Sequence, residues 1–311
     1  MKTIYIFSII LILATGLIVG FAVSKNNNEI QAGTINSQTK LSVSDIKNVS
    51  LKSNVSNTGI TDIVAQLNNG DVQTIATYND IYVDHYHPIE YLNGDVYVIR
   101  RIGDPEVDSG WTDQLWKIGL DGSEVMLYAE QGIDFRVSSD EQYIAIADST
   151  AIGQVFFINK DGVKVKSFLL NQLAIDPDAK DSEMYSWSND GKSFWGGVYF
   201  ANQEDIFQIS VDDWTVQKFA FDGNLHNHDW DLNPDINSIV YSDYPSFGDA
   251  TDAEDFDNST TVTHLYLANF ITGEKRTIDT AVAKSYQPKW ISSTEIQYSD
   301  PTMGELKSYF L

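Results

Sequence analysis

Ten short hairpins in strict alternation, a rich supply of aromatic residues and no amphipathic helix beyond residue 24 predict an all-β fold. Its units repeat every 40 to 60 residues as four short strands, which is the sequence signature of a β-propeller of about five blades. A blade cannot bury both sheet faces alone, so successive blades stack around an axis and fill the gaps between twisted sheets with large side chains. The 7 Trp, 16 Tyr and 15 Phe supply them. A β-sandwich is the competing all-β reading, and the regular alternation of two hairpin types argues against it.

Along the chain the first feature is apolar. Residues 4–23 carry no charge, and a helix of that length spans roughly 30 Å of hydrocarbon. Residues 1–24 therefore read as an N-terminal transmembrane helix. Ala22-Val23-Ser24 also offers small residues to a signal peptidase, in which case the rest is secreted. Lys2 and the amino terminus are the only positive charges before the span, so the bulk of the chain is expected outside the cytoplasm, in a periplasmic or extracellular position. Residues 25–56, rich in Asn, Ser, Thr and Lys, read as a polar tether, and 57–311 as the propeller domain.

Within that domain five outer hairpins are expected at 62–75, 114–128, 154–168, 205–219 and 264–278. Each has two alternating runs around an Asn-Gly, Asp-Gly, Asp-Asp or Thr-Gly turn. Five inner hairpins alternate with them at 90–99, 136–146, 186–197, 231–241 and 289–298. The first outer and the last inner hairpin are expected to complete one blade together. The terminal run 305–311 leaves room for a sixth.

The units "SWSNDGKSF" followed by "DIFQISVDD", and "QPKWISSTEIQY", resemble the repeat of TolB-like propellers, in which a Trp-Ser-Pro-Asp-Gly-Lys turn precedes an Ile-Tyr-x-x-Asp strand and an Asp-Gly turn. The resemblance covers nearly all of 61–311. Trp187 and Trp290 match the family tryptophan, Tyr91, Val137 and Leu232 replace it, and Pro234 alone keeps the proline. It implies a propeller with an extracytoplasmic scaffold role and no catalytic residue.

A net charge of -24, from 44 acidic and 20 basic residues, repels phosphate backbones, so nucleic acid is excluded as a partner over most of the surface. The absence of cysteine removes disulfides, thiolate metal sites and cysteine nucleophiles. No Gly-x-Ser-x-Gly, phosphate-cradling loop or His-Glu-x-x-His is present. Two of the five histidines form "DHYHPIEY" (84–91) and two form "HNHDWDLN" (226–233). Aligning the units on Tyr91, Val137, Trp187, Leu232 and Trp290 places His87, Glu183 and His228 in one column, with His85 and His226 two residues earlier. On a strand, i and i+2 share a face, so His85, His87, Glu183, His226 and His228 form a candidate site for a divalent metal, Zn or Mn, at the axis. The alternative is that the histidines cap strand ends beside Asp84 and Asp229.

Asp134, Glu183, Asp229 and Asp231 lie near the same level, and a glycoside hydrolase would need two such carboxyls about 6.5–9.5 Å apart for inversion. The acidic loops 176–183 and 249–258 could bind Ca weakly or be solvated insertions. The expected function is a non-enzymatic protein- or ligand-binding module docking partners on a propeller face through exposed aromatics such as Trp111 and Tyr244. A metal-dependent lyase or hydrolase using the axial histidines is the alternative, and a glycosidase the weaker one.

Overall fold

A computed structural model describes residues 41–53, 60–78, 89–103, 110–148, 153–176, 178, 181–200, 203–223, 225–245, 256–282, 285–300 and 304–311. The expected membrane helix lies outside them, and no described helix is long and apolar enough to cross a membrane.

The described chain forms six antiparallel sheets in sequence order. Sheet 1 contains β1 (Ile46–Ser53), β2 (Thr61–Leu67) and β3 (Val72–Tyr78). Sheet 2 contains β4 (Glu90–Leu92), β5 (Asp95–Gly103), β6 (Trp111–Gly119) and β7 (Glu124–Glu130). Sheet 3 contains β8 (Ile133–Val137), β9 (Tyr143–Asp148), β10 (Gln154–Asn159) and β11 (Lys164–Leu169). Sheet 4 contains β12 (Asp181–Trp187), β13 (Ser193–Phe200), β14 (Gln203–Ser210) and β15 (Val216–Phe221). Sheet 5 contains β16 (Trp230–Asn233), β17 (Ser238–Ser242), β18 (Val262–Asn269) and β19 (Lys275–Val282). Sheet 6 contains β20 (Lys289–Ser292), β21 (Glu295–Ser299) and β22 (Leu306–Phe310).

All ten expected hairpins are present, and each turn has a local cause. In the inner hairpins of sheets 3 and 4, the Ser138 and Ser188 hydroxyls donate to Asp140 and Asp190 at 2.7 and 2.6 Å. The same hydroxyls accept the N–H of Tyr143 and Ser193 at 3.0 and 2.9 Å, which closes each loop onto its own next strand. In an outer hairpin, Asp121 Oδ1 accepts the Ser123 N–H at 3.0 Å, and Gly122 takes the positive φ, 85°, that this turn requires.

Buried apolar clusters join each sheet to the next. Val96 and Val98 of β5 pack toward sheet 1 against Ile63 and Ala65, whereas Tyr97 and Ile99 of the same strand pack toward sheet 3 against Phe135 and Phe156. Val155 and Phe157 meet Trp187 and Phe207 between sheets 3 and 4, Trp195 and Ile206 meet Ile239 and Tyr241 between sheets 4 and 5, and Val240 meets Ile296 and Tyr298 between sheets 5 and 6. Alternate residues thus serve opposite neighbours. That is why the middle strands read as unbroken apolar runs, where a sheet with one wet face would show strict alternation.

Two expectations need correction. The count is six sheets, and the terminal hairpins do not share a blade. Among the described residues no strand pairing joins sheet 6 to sheet 1, because each end sheet recruits its own third strand. One of these, β1, comes from the segment read as tether: Ile46, Val49 and Leu51 project onto the core shared by sheets 1 and 2 while Asn48, Ser50 and Lys52 stay exposed. The other, β22, pairs Tyr309 with Ile296.

Candidate functional site

The alignment column holds. Tyr91, Val137, Trp187, Leu232 and Trp290 all stand in the first strand of their sheets, opposite Val96, Ile144, Phe194, Ile239 and Ile296. In three of the five, the residue just before this position straps its sheet to the next. The Glu90 carboxylate accepts the Val137 N–H at 2.9 Å, and the Asp231 carboxylate accepts the Trp290 N–H at 2.8 Å. Where Arg136 holds the same place, its Nε donates to the Tyr185 carbonyl at 3.3 Å. The indoles run the other way: Trp187 donates to the Arg136 carbonyl at 3.0 Å and Trp290 to the Asp231 carbonyl at 3.2 Å.

Between the first strands of sheets 2, 3 and 4 lies an open cavity of about 290 Å³, lined among others by Glu90, Tyr91, Arg136, Tyr185, Trp187 and Asn189. Arg136 is compensated there. Its Nη1 donates to the Phe135 carbonyl at 2.7 Å and sits 3.2 Å from Asp134 Oδ1. Burial raises the Glu90 carboxyl to about 7 against the pull of the Val137 N–H and Arg136, and Asp134 adds to the rise. The Tyr91 hydroxyl is buried without a hydrogen-bond partner among the described residues.

A second polar group lies where sheet 4 faces sheet 5. The Tyr185 hydroxyl donates to Glu204, the Tyr199 hydroxyl donates to Glu183, and the two phenol oxygens are 3.4 Å apart. Gly197 makes room for this arrangement, since a Cβ there would overlap the Tyr185 hydroxyl and the Glu204 carboxylate. Burial, with Glu183 beside it, raises the Glu204 carboxyl to about 9 against the Leu225 N–H, so it is neutral at pH 7. An acid held protonated in the fold stabilises fully below its ordinary value of 4.5, and that contribution declines as pH rises toward 9. The chain should therefore lose stability between about pH 5 and about pH 9, and Glu204→Gln, which imitates the protonated acid, should flatten that slope. Urea unfolding midpoints across this range test it, and parallel curves for the two proteins would refute it.

His85 and His87 lie outside the described residues. The other pair does not share a strand face as expected. His226 belongs to a 3-10 turn, Leu225–Asn227, and His228 follows with a left-handed φ of 54° and an exposed side chain. The turn is dictated by its neighbours: Leu225 is fully buried, and Asn227 accepts the Asp229 N–H at 2.9 Å while donating to the Tyr244 carbonyl at 2.5 Å. Glu183 sits apart in β12 on Tyr199, and among the described residues no group of three His, Asp or Glu could hold a metal ion.

Of the axial carboxylates, Asp134 pairs with Arg136 and Asp231 serves the strap to Trp290. Asp229 is buried and accepts from Ser242, Ser285 and the N–H groups of Tyr286 and Gln287. In the first acidic loop the Asp176 N–H donates to Asp205, and residues 249–255 of the second lie outside the described residues. The two aromatics expected in exposed loops are half-buried: Trp111, in β6, lies under Arg101 at 3.9 Å, and Tyr244 packs on Phe256 and donates to Asp257.

No family model and no curated protein matches the sequence. Among solved structures the chain is similar to an oligogalacturonate lyase in complex with manganese, at 12% identity and a TM-score of 0.52, covering 79% of this chain and 70% of that one. The oligogalacturonate lyase of Vibrio parahaemolyticus gives 11% identity and a TM-score of 0.51 over the same shares. TolB from Acinetobacter baumannii gives 11% and 0.44, covering 80% of this chain and 59% of that one. At these identities the similarity concerns the fold alone.

Proposed function

We propose that this chain is an extracytoplasmic binding propeller, tethered to the membrane by residues 1–24, that holds a partner or ligand at the cavity between the first strands of sheets 2 to 4. One observation carries the reading. The polar groups of the rim help to hold the sheets together: one Glu90 oxygen takes the Val137 N–H, Arg136 donates to Asp134 and two carbonyls, and the Trp187 indole donates to the Arg136 carbonyl. Such a rim is rigid, and rigid concave surfaces favour recognition.

A metal-dependent lyase remains the second reading, supported by the fold similarity to a lyase in complex with manganese and by the histidine pairs. A glycosidase has less support, because Asp229 and Asp231 are occupied by backbone N–H groups.

The test is surface cross-linking of the intact chain in its own cells, beside a Ser186→Trp variant that fills the cavity. Recovery of a partner should fall at least about tenfold, or ~1.4 kcal/mol, in the variant. Unchanged recovery would overturn the reading. So would stoichiometric manganese or zinc in the purified chain that is lost in both His87→Ala and His228→Ala, which would favour the lyase.

A further inference from the structure

We propose that the cavity bounded by Glu90, Tyr91, Tyr185 and Trp187 is a site for a primary ammonium group, carried either by a small polyamine or by a lysine side chain of a partner. This rests on the binding reading above and gives the ligand its chemical class.

The charge inventory around the cavity leads there. Two elements present polar groups to Glu90 on β4: β8 brings Arg136, Asp134 and the Val137 N–H, and β5 brings Tyr97. Arg136 pairs with Asp134 through Nη1 and donates to the carbonyls of Phe135 and Tyr185 through Nη1 and Nε. Among the described residues, Asp134 is the carboxylate paired with Arg136, which leaves Glu90 without an ion pair, and one Glu90 oxygen takes the Val137 N–H. A cation entering the cavity supplies the missing charge. An anion would meet the uncompensated carboxylate and an arginine whose Nε and Nη1 already donate to Tyr185, Phe135 and Asp134.

The walls fit the same class. Tyr91, Tyr185 and Trp187 offer aromatic surface, and aromatic faces attract ammonium groups within about 6 Å. About 290 Å³ lies at the small end of ligand cavities, suited to a head group on an alkyl stem. The net charge of -24 draws cations toward the protein as a whole.

Glu90 titrates near 7, so its carboxylate fraction, and with it the affinity, should rise about tenfold between about pH 6 and about pH 8. Below about pH 7 binding should release a proton, because the guest stabilises the ionised form. Calorimetry on the full chain in detergent reads both effects, with spermidine and Nα-acetyl-lysine amide as probes and buffers of different ionisation heat. Glu90→Gln keeps an acceptor for the Val137 N–H and so preserves the strap. It should lose at least about tenfold in affinity, together with the proton release.

A probe that binds the tighter of the two identifies the source of the ammonium group. Absence of binding by either at about pH 8, or equal affinity in Glu90→Gln, overturns the proposal. If amines fail while Ser186→Trp still abolishes partner recovery, the binding reading stands and only the ligand class falls.

Discussion

In an Asp229→Ala variant the unfolding free energy is expected to fall by about 4 kcal/mol. Asp229 is 1% exposed and lies just before β16, yet most of its work is done in the next unit of the chain. Gln287 has a left-handed φ of 47°, and the N–H groups of Tyr286 and Gln287 converge on the Asp229 carboxylate at 2.9 and 2.5 Å. Successive N–H groups in such a turn make a cradle for an anion. The Ser242 and Ser285 hydroxyls add two more donors, at 2.5 and 2.9 Å.

Alanine leaves all four donors facing a small void. Each of the two backbone N–H groups then costs about 1–3 kcal/mol of unrecovered desolvation. Tyr286 is fully buried, so water cannot readily replace the lost acceptor there. Asp229→Asn retains one accepting oxygen but turns an NH₂ group toward donors, and its loss should be intermediate. Urea unfolding followed by tryptophan fluorescence measures both, and a loss under about 1 kcal/mol for alanine would show that the cradle does not hold sheets 5 and 6 together.

The parts that were legible in the sequence were those with local causes. Turn chemistry such as Asp121-Gly122 and Ser188-x-Asp190 marks every hairpin, and the run "VYVI" in β5 announces a strand buried on both faces. The ends were illegible for the opposite reason. In β1 the apolar residues Val49 and Leu51 stand among Asn, Ser and Lys, a pattern too thin to distinguish a strand from a tether until sheet 2 is there to cover it.

At the site, the column through Tyr91 and Trp290 was readable, because each member sits two or three residues before a turn with its own signature. The face of His226 and His228 was not, because the 3-10 turn is set by Leu225 reaching into the core between sheets 4 and 5. The straps joined residues 47 and 59 positions apart, Glu90 to Val137 and Asp231 to Trp290, and no local window contains such a pair. The same alignment does place Glu90, Arg136, Ser186, Asp231 and Lys289 in one column. The signal was therefore present, as a position where charged residues recur beside a buried one.

Phe157→Ala is expected to cost about 3–5 kcal/mol, the range for deleting a fully buried aromatic ring. Phe157 is fully buried in β10, and the rings of Phe168, Trp187, Phe194 and Trp214 surround it at centroid distances of 6.3, 5.8, 5.7 and 5.1 Å. Edge and tilted contacts of this kind each add about 0.5–1.5 kcal/mol beyond burial. How much of the cost is felt depends on whether neighbours can collapse into the hole.

Here they are held. Trp187 is tied to the Arg136 carbonyl by its indole N–H, and Phe194 stands in β13 directly opposite Trp187 in the ladder. Collapse would break a strap between sheets 3 and 4, so the cavity should persist and the loss should lie toward the upper end. Val163→Ala, at a side chain 58% exposed in the turn after β10, should change stability by less than about 0.5 kcal/mol and serves as the comparison. Because Trp187 also walls the inner cavity, Phe157→Ala should weaken ammonium binding as well as stability, whereas Val163→Ala should leave it unchanged. If Phe157→Ala loses less than about 1.5 kcal/mol, the sheets are not locked face to face at this cluster and Trp187 is free to move.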